Sequence, residues 1–78
     1  MSSTNRYIQK MRNNPKDWRI ESLEAIARSM GMQIRKSGGS HVYFMHSNSA
    51  VSVSVPARRP IKTVYIKQFL ALIDDIEK

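Results

Sequence analysis

Leu23, Ile26, Ala27 and Met30 recur at the i, i+3, i+4, i+7 spacing that gathers side chains on one face of an α-helix, and Gly31 stands where a left-handed C-terminal cap is wanted. Beyond it the period shortens to two. Met32–Lys36, His41–His46 and Val51–Val55 alternate apolar and polar residues, which predicts three short strands joined by tight turns into an antiparallel meander. A last helix is predicted from about Lys62 to Glu77, with Ile66, Phe69, Leu70, Ile73 and Ile76 on one side. Near the start, Tyr7, Ile8 and Met11 predict a short helix that Asn13–Asn14–Pro15 ends, because proline disfavours helical geometry at the residue before it.

Side chains on a strand alternate between faces, so the same pattern sorts the sheet. Met32, Ile34, Val42, Phe44, Val51, Val53 and Val55 are expected on the buried face. Gln33, Arg35, His41, Tyr43, Met45, Ser52 and Ser54 are expected on the other, which reads as a binding surface rather than a core. The fold class is therefore α+β: a three-stranded antiparallel sheet in the order α-β-β-β-α, preceded by a further short helix. With 78 residues, 41% of them hydrophobic, the chain suffices for one modest core.

Charge narrows the choice of partner. The formal net charge is +7, which suits nucleic acid, an anionic membrane or an acidic protein. From Ala25 to Ile73 there is no Asp or Glu, while Arg28, Arg35, Lys36, Arg58, Arg59, Lys62 and Lys67 all fall in that stretch. Such a tract is expected to leave its cations free of internal ion pairs and available to the phosphates of a polyanion. In the last helix the charges oppose the macrodipole: Lys62 and Lys67 lie toward its start, and Asp74, Asp75 and Glu77 toward its end. Two readings follow, solvated lysines or a helix start suited to a phosphate.

Cysteine is absent, which excludes disulfides and thiolate zinc sites, and all six carboxylates fall within residues 17–24 and 74–77. No metal-ligand cluster is visible, and neither a metal nor another cofactor is expected. No stretch approaches the ~18 consecutive apolar residues of a membrane span, and the N-terminal residues lack a signal-peptide apolar run. The expectation is a cytoplasmic protein with no membrane partner.

Ser37–Gly38–Gly39–Ser40 leads directly into His41–Val42–Tyr43–Phe44, a turn that delivers a histidine onto a strand. Gly38 and Gly39 read as a hairpin turn requiring positive φ, a reading compatible with backbone that a phosphate can approach closely. His41 is either a polar strand residue or an acid–base group. RNA carries its own nucleophile, the 2′-hydroxyl, and cleavage needs a group that exchanges a proton near neutrality and cations that stabilise the phosphate charge. Ser40, Arg35 and Lys36 lie near enough to complete a minimal set with His41. His46, five positions on, is expected on the opposite face. Trp18 and Tyr65 read as core or edge residues.

Gly39–Ser40–His41 followed by Phe44, the strand ending at Val55–Pro56 and the helix opening at Ile61–Lys62 after a basic loop resemble the HicA family of bacterial toxins, over about Arg19 to Glu77. The resemblance implies a fold related to double-stranded-RNA-binding domains, cleavage of mRNA, a catalytic role for His41 with Gly39 and Ser40 beside it, and a HicB-type antitoxin partner that masks the site. It makes residues 17–78 an RNA-binding and cleavage domain; Gly39 and Ser40 carry over as site residues, and Arg35, Lys36, Arg58, Arg59 and Lys62, read from charge and position, are expected with them as RNA contacts. Residues 1–16 form an extension before the family core, readable as a stabilising flap, an RNA-contacting arm or an antitoxin contact. The chain departs from many relatives in the turn Ser47–Asn48–Ser49–Ala50, where a Pro-Asp-Gly type sequence is common. Two other functions keep the same fold: a non-catalytic RNA-binding module, and a small domain that only docks an acidic protein.

Overall fold

Helix α1 (Ser3–Asn13) buries Ile8 and Met11, one helical turn apart, and rotates Tyr7 out to 50% exposure. Of the three apolar residues that predict this helix, Tyr7 is the one left out of the core. Residues 3–58 and 60–77 are described by the computed structural model. Helix α2 (Ile20–Ser29) follows a linker in which Asp17 adopts φ 64°, a left-handed conformation that aspartate tolerates better than most residues. Leu23, Ile26 and Ala27 are buried along α2 as its period predicts, with Met30 packed partly against the core. Gly31, at φ 75°, ends it: its N–H donates to the Arg28 carbonyl at 3.2 Å and the Met32 N–H to the Ala27 carbonyl at 2.9 Å, a Schellman cap.

Strands β1 (Gln33–Lys36), β2 (His41–Met45) and β3 (Val53–Pro56) form one antiparallel sheet in sequence order. Ile34 pairs with Phe44, and Phe44 with Val53, so the apolar positions stack across the sheet on one face. Helix α3 (Thr63–Ile76) covers that face together with α2. Phe44 and Phe69 meet edge to face at 5.0 Å between ring centroids, both fully buried. The described residues thus form a small α+β fold with one open sheet and three helices, in the expected order. The face bearing Arg35, His41 and Tyr43 carries no helix.

Three expectations need correction. Strand β3 begins at Val53, and Val51 is 49% exposed rather than buried. The Val51 N–H donates to Ser49 Oγ at 3.0 Å, and Ser49 Oγ donates to the Asp75 carboxylate, so this segment is held by a local turn anchored to α3 rather than by the ladder. Ser52 accordingly precedes the strand. Second, neither Gly38 nor Gly39 has positive φ, and a Cβ at either would meet only open space. The connection Ser37–Ser40 is longer than the two-residue hairpins that demand left-handed residues. Third, the cations of the central tract are not all free: Glu24, just outside it, pairs with Lys36 at 3.2 Å and Arg28 at 3.6 Å.

The acids at the end of α3 also have work that offsets their unfavourable place on the dipole. Arg12 of α1 forks onto Asp74 at 2.5 and 3.3 Å, tying the N-terminal helix to the last one. The hydrogen bonds from Arg12 hold the Asp74 carboxyl below the usual aspartate range. Because the folded-state value is lowered, this contribution is present above the unfolded aspartate pKa of about 3.9 and is lost as pH falls through the folded value. Both side chains are well exposed, so the pair is worth a few tenths to about 1 kcal/mol at low salt. Asp74→Asn is expected to lower stability by that amount at pH 7 and to make acid denaturation slightly less steep, measured by urea titrations at pH 7 and pH 3.

Candidate functional site

His41 opens β2 directly opposite Pro56, the last residue of β3, and the chain leaving Pro56 turns back beside it. The Ala57 N–H donates to the Ser40 carbonyl at 2.6 Å, which fastens the start of the basic loop to the residue before His41. At the other end of the loop the buried Ile61 donates its N–H to the Trp18 carbonyl at 3.0 Å, and Thr63 Oγ1 donates to the Pro15 carbonyl at 3.4 Å. Trp18 is itself held by its indole N–H on the Asn14 carbonyl at 2.6 Å. The linker after α1 therefore sets where the loop and the start of α3 sit. Pro15, within the extension of residues 1–16, and Trp18, just after it, both take part.

Between these anchors lies a cleft of about 400 Å³. Ser40, His41, Arg58 and Lys62 line it together with Pro56, Pro60, Ile61 and Tyr65. His41 is exposed, and among the described residues its imidazole makes no side-chain hydrogen bond, which leaves both ring nitrogens available to a bound molecule. Lys62 is the N-cap of α3 and makes no side-chain capping hydrogen bond, so a cationic residue stands at the positive end of the helix dipole, a combination that favours an anion. No acidic side chain lines this cleft among the described residues.

The other sequence-selected residues divide into two groups. Gly39 and Lys36 line a separate depression of about 140 Å³, shared with Glu24, Ser40 and His41. There the Lys36 ammonium is held by Glu24. Arg35 points to the open sheet face, across from Tyr43 in the register. Arg59 lies outside the described residues. Of the two aromatics that the sequence reads as core or edge residues, Tyr65 lies on the cleft wall. Its position three after Lys62 in the first turn of α3 is the signal that places them side by side.

The two histidines are separated as their parity predicts. His46 follows β2 on the helix side, where the Asn48 N–H donates to Nδ1 at 3.0 Å and Nε2 contacts the Met30 carbonyl at 3.2 Å. Acceptance at Nδ1 places the proton on Nε2, which donates to Met30. His46 joins the turn after β2 to the end of α2. His41, with no such ties among the described residues, is the one free for chemistry.

Among the described residues no group of three or more His, Asp or Glu gathers in a way that could hold a metal ion, and no helix is long and apolar enough to cross a membrane. No protein-family model, curated protein or solved structure matches the chain.

Proposed function

We propose that this chain is a metal-independent endoribonuclease that cleaves mRNA in the cytoplasm and arrests growth, in the manner of the HicA toxins its sequence resembles. The observation that carries the reading is the cleft that brings His41, Ser40, Arg58 and Lys62 together with no acid on its walls among the described residues. A phosphodiester seated there meets an imidazole and two cations lining the same cleft. His41 takes the proton of the substrate's 2′-hydroxyl as that oxygen bonds to the adjacent phosphorus. The P–O5′ bond breaks, water protonates the leaving 5′-oxygen, and a 2′,3′-cyclic phosphate remains. Arg58, Lys62 and the N-terminal dipole of α3 hold the non-bridging oxygens as charge builds on them.

The same cleft suits a HicB-type antitoxin of acidic character, which would neutralise the toxin by occupying the His41 side. A non-catalytic RNA-binding module is favoured by one observation: among the described residues no carboxylate is hydrogen-bonded to His41 to orient it. Incubation of purified protein with RNA and with DNA of the same sequence, in EDTA, decides between them. RNA is expected to be cut to 2′,3′-cyclic phosphate ends with the DNA intact. Binding without cutting supports the module; cutting that requires added divalent metal, or that proceeds on DNA, overturns the mechanism.

A further inference from the structure

We propose that the open face of the sheet is a platform for single-stranded RNA, on which Tyr43 stacks the nucleobase neighbouring the phosphate held at His41. The inference rests on the reading of the His41 cleft as an RNA site and names the form of RNA that site takes. Tyr43 follows His41 by two residues on β2 and so projects from the same face, about 6.7 Å further along the strand. That is within the reach of a single nucleotide step. In the register Tyr43 is flanked by Arg35 on β1 and by Ser54 on β3, a cation on one side and a small hydroxyl on the other.

Arg35, Lys36, Ser37, Tyr43 and Met45 line an open depression of about 450 Å³, with no acid among them. Helices α2 and α3 pack on the other face, so no helix covers this one. Proteins that hold single strands combine cations that follow the backbone with aromatic rings that accept base faces, and Tyr43 beside Arg35 is that pair. A guanidinium serves either role, gripping a phosphate or stacking on a base. An A-form duplex is held instead through phosphates and 2′-hydroxyls across its minor groove, which makes no use of an aromatic ring on an open sheet. The cleft binds the reacting phosphate, and the sheet face holds the adjacent base and sets which strands are accepted.

The test uses the full chain carrying His41→Ala, so that binding is measured without cleavage, with a short single-stranded RNA and a hairpin duplex RNA as probes. Tyr43→Ala is expected to weaken single-strand affinity about 5- to 100-fold, Tyr43→Phe to restore it, and duplex affinity to stay unchanged. A strand carrying 5-iodouracil should crosslink on irradiation to Tyr43. If Tyr43→Ala leaves single-strand affinity unchanged while Lys62→Glu weakens it, the platform is overturned and the cleft reading stands. If the parent binds no RNA, or neither substitution alters binding, both fall. Equal losses on single strand and duplex, or a Tyr43→Ala variant that binds RNA normally but no longer binds an acidic protein partner, also overturn it, the latter assigning the face to protein docking.

Discussion

His41→Ala is expected to lower RNA cleavage by about 10²–10⁴-fold, the usual contribution of a positioned acid–base group, and to abolish growth arrest on induction. The size of that loss can be read as chemistry because the fold has little stake in this side chain. His41 is exposed and makes no side-chain hydrogen bond among the described residues, so the change in stability should stay within about 0.5 kcal/mol. His46→Ala is the contrasting control. It removes a ring with two hydrogen bonds joining the turn after β2 to the end of α2, and should cost about 1–3 kcal/mol while leaving cleavage by the folded protein near the parent rate. Parallel measurements of thermal unfolding and RNA cleavage for both variants separate the roles. A folded His41→Ala protein that still cuts RNA and arrests growth would remove the imidazole from the mechanism.

The second large effect is on stability, and it lies three residues from the first. Phe44→Ala should destabilise the protein by about 3–5 kcal/mol, the range for emptying a buried aromatic site. Phe44 is fully buried, pairs in the ladder with Ile34 and Val53, and packs edge to face on Phe69 of α3, so its loss undoes contacts to β1, β3 and the helix layer together. For a chain of 78 residues the whole stability is of order 4–12 kcal/mol, so the variant should be substantially unfolded at 37 °C if the parent lies at the low end. Tyr43→Ala, the adjacent residue on the open face, should cost far less. Urea titration gives both values, and a loss under about 1 kcal/mol for Phe44→Ala would contradict the packing described above.

These contrasts follow from how much of the molecule is visible in one dimension. The faces of β1 and β2 were legible because strand parity is local: once Val42 and Phe44 are assigned inward, His41 and Tyr43 must point out. The face of α2 and its glycine cap were legible for the same reason, since the period of 3.6 and the left-handed cap depend on neighbours in sequence. Val51 was misassigned because alternation continues through Ser52 as though the strand did. What ends the strand is the Ser49 tie to Asp75, whose partner lies 26 positions away.

The site shows the same division. Its chemical inventory was readable in the turn before His41, in the basic residues after Pro56 and in the absence of carboxylates between Ala25 and Ile73. The diversion of Lys36 to Glu24 was not, because composition counts charges within a tract and an ion pair ignores its boundaries. Nor was the part played by the linker after α1, which depends on hydrogen bonds from Ile61 to Trp18 and from Thr63 to Pro15. The sequence by itself determined the elements, their order and the side of the sheet on which His41 stands, since each follows from local backbone periodicity. Only the tertiary structure decided that Arg58, Lys62 and Tyr65 converge on His41 and that Lys36 is held apart by Glu24, because long-range packing and hydrogen bonds, which leave no periodic trace along the chain, bring those residues to their places.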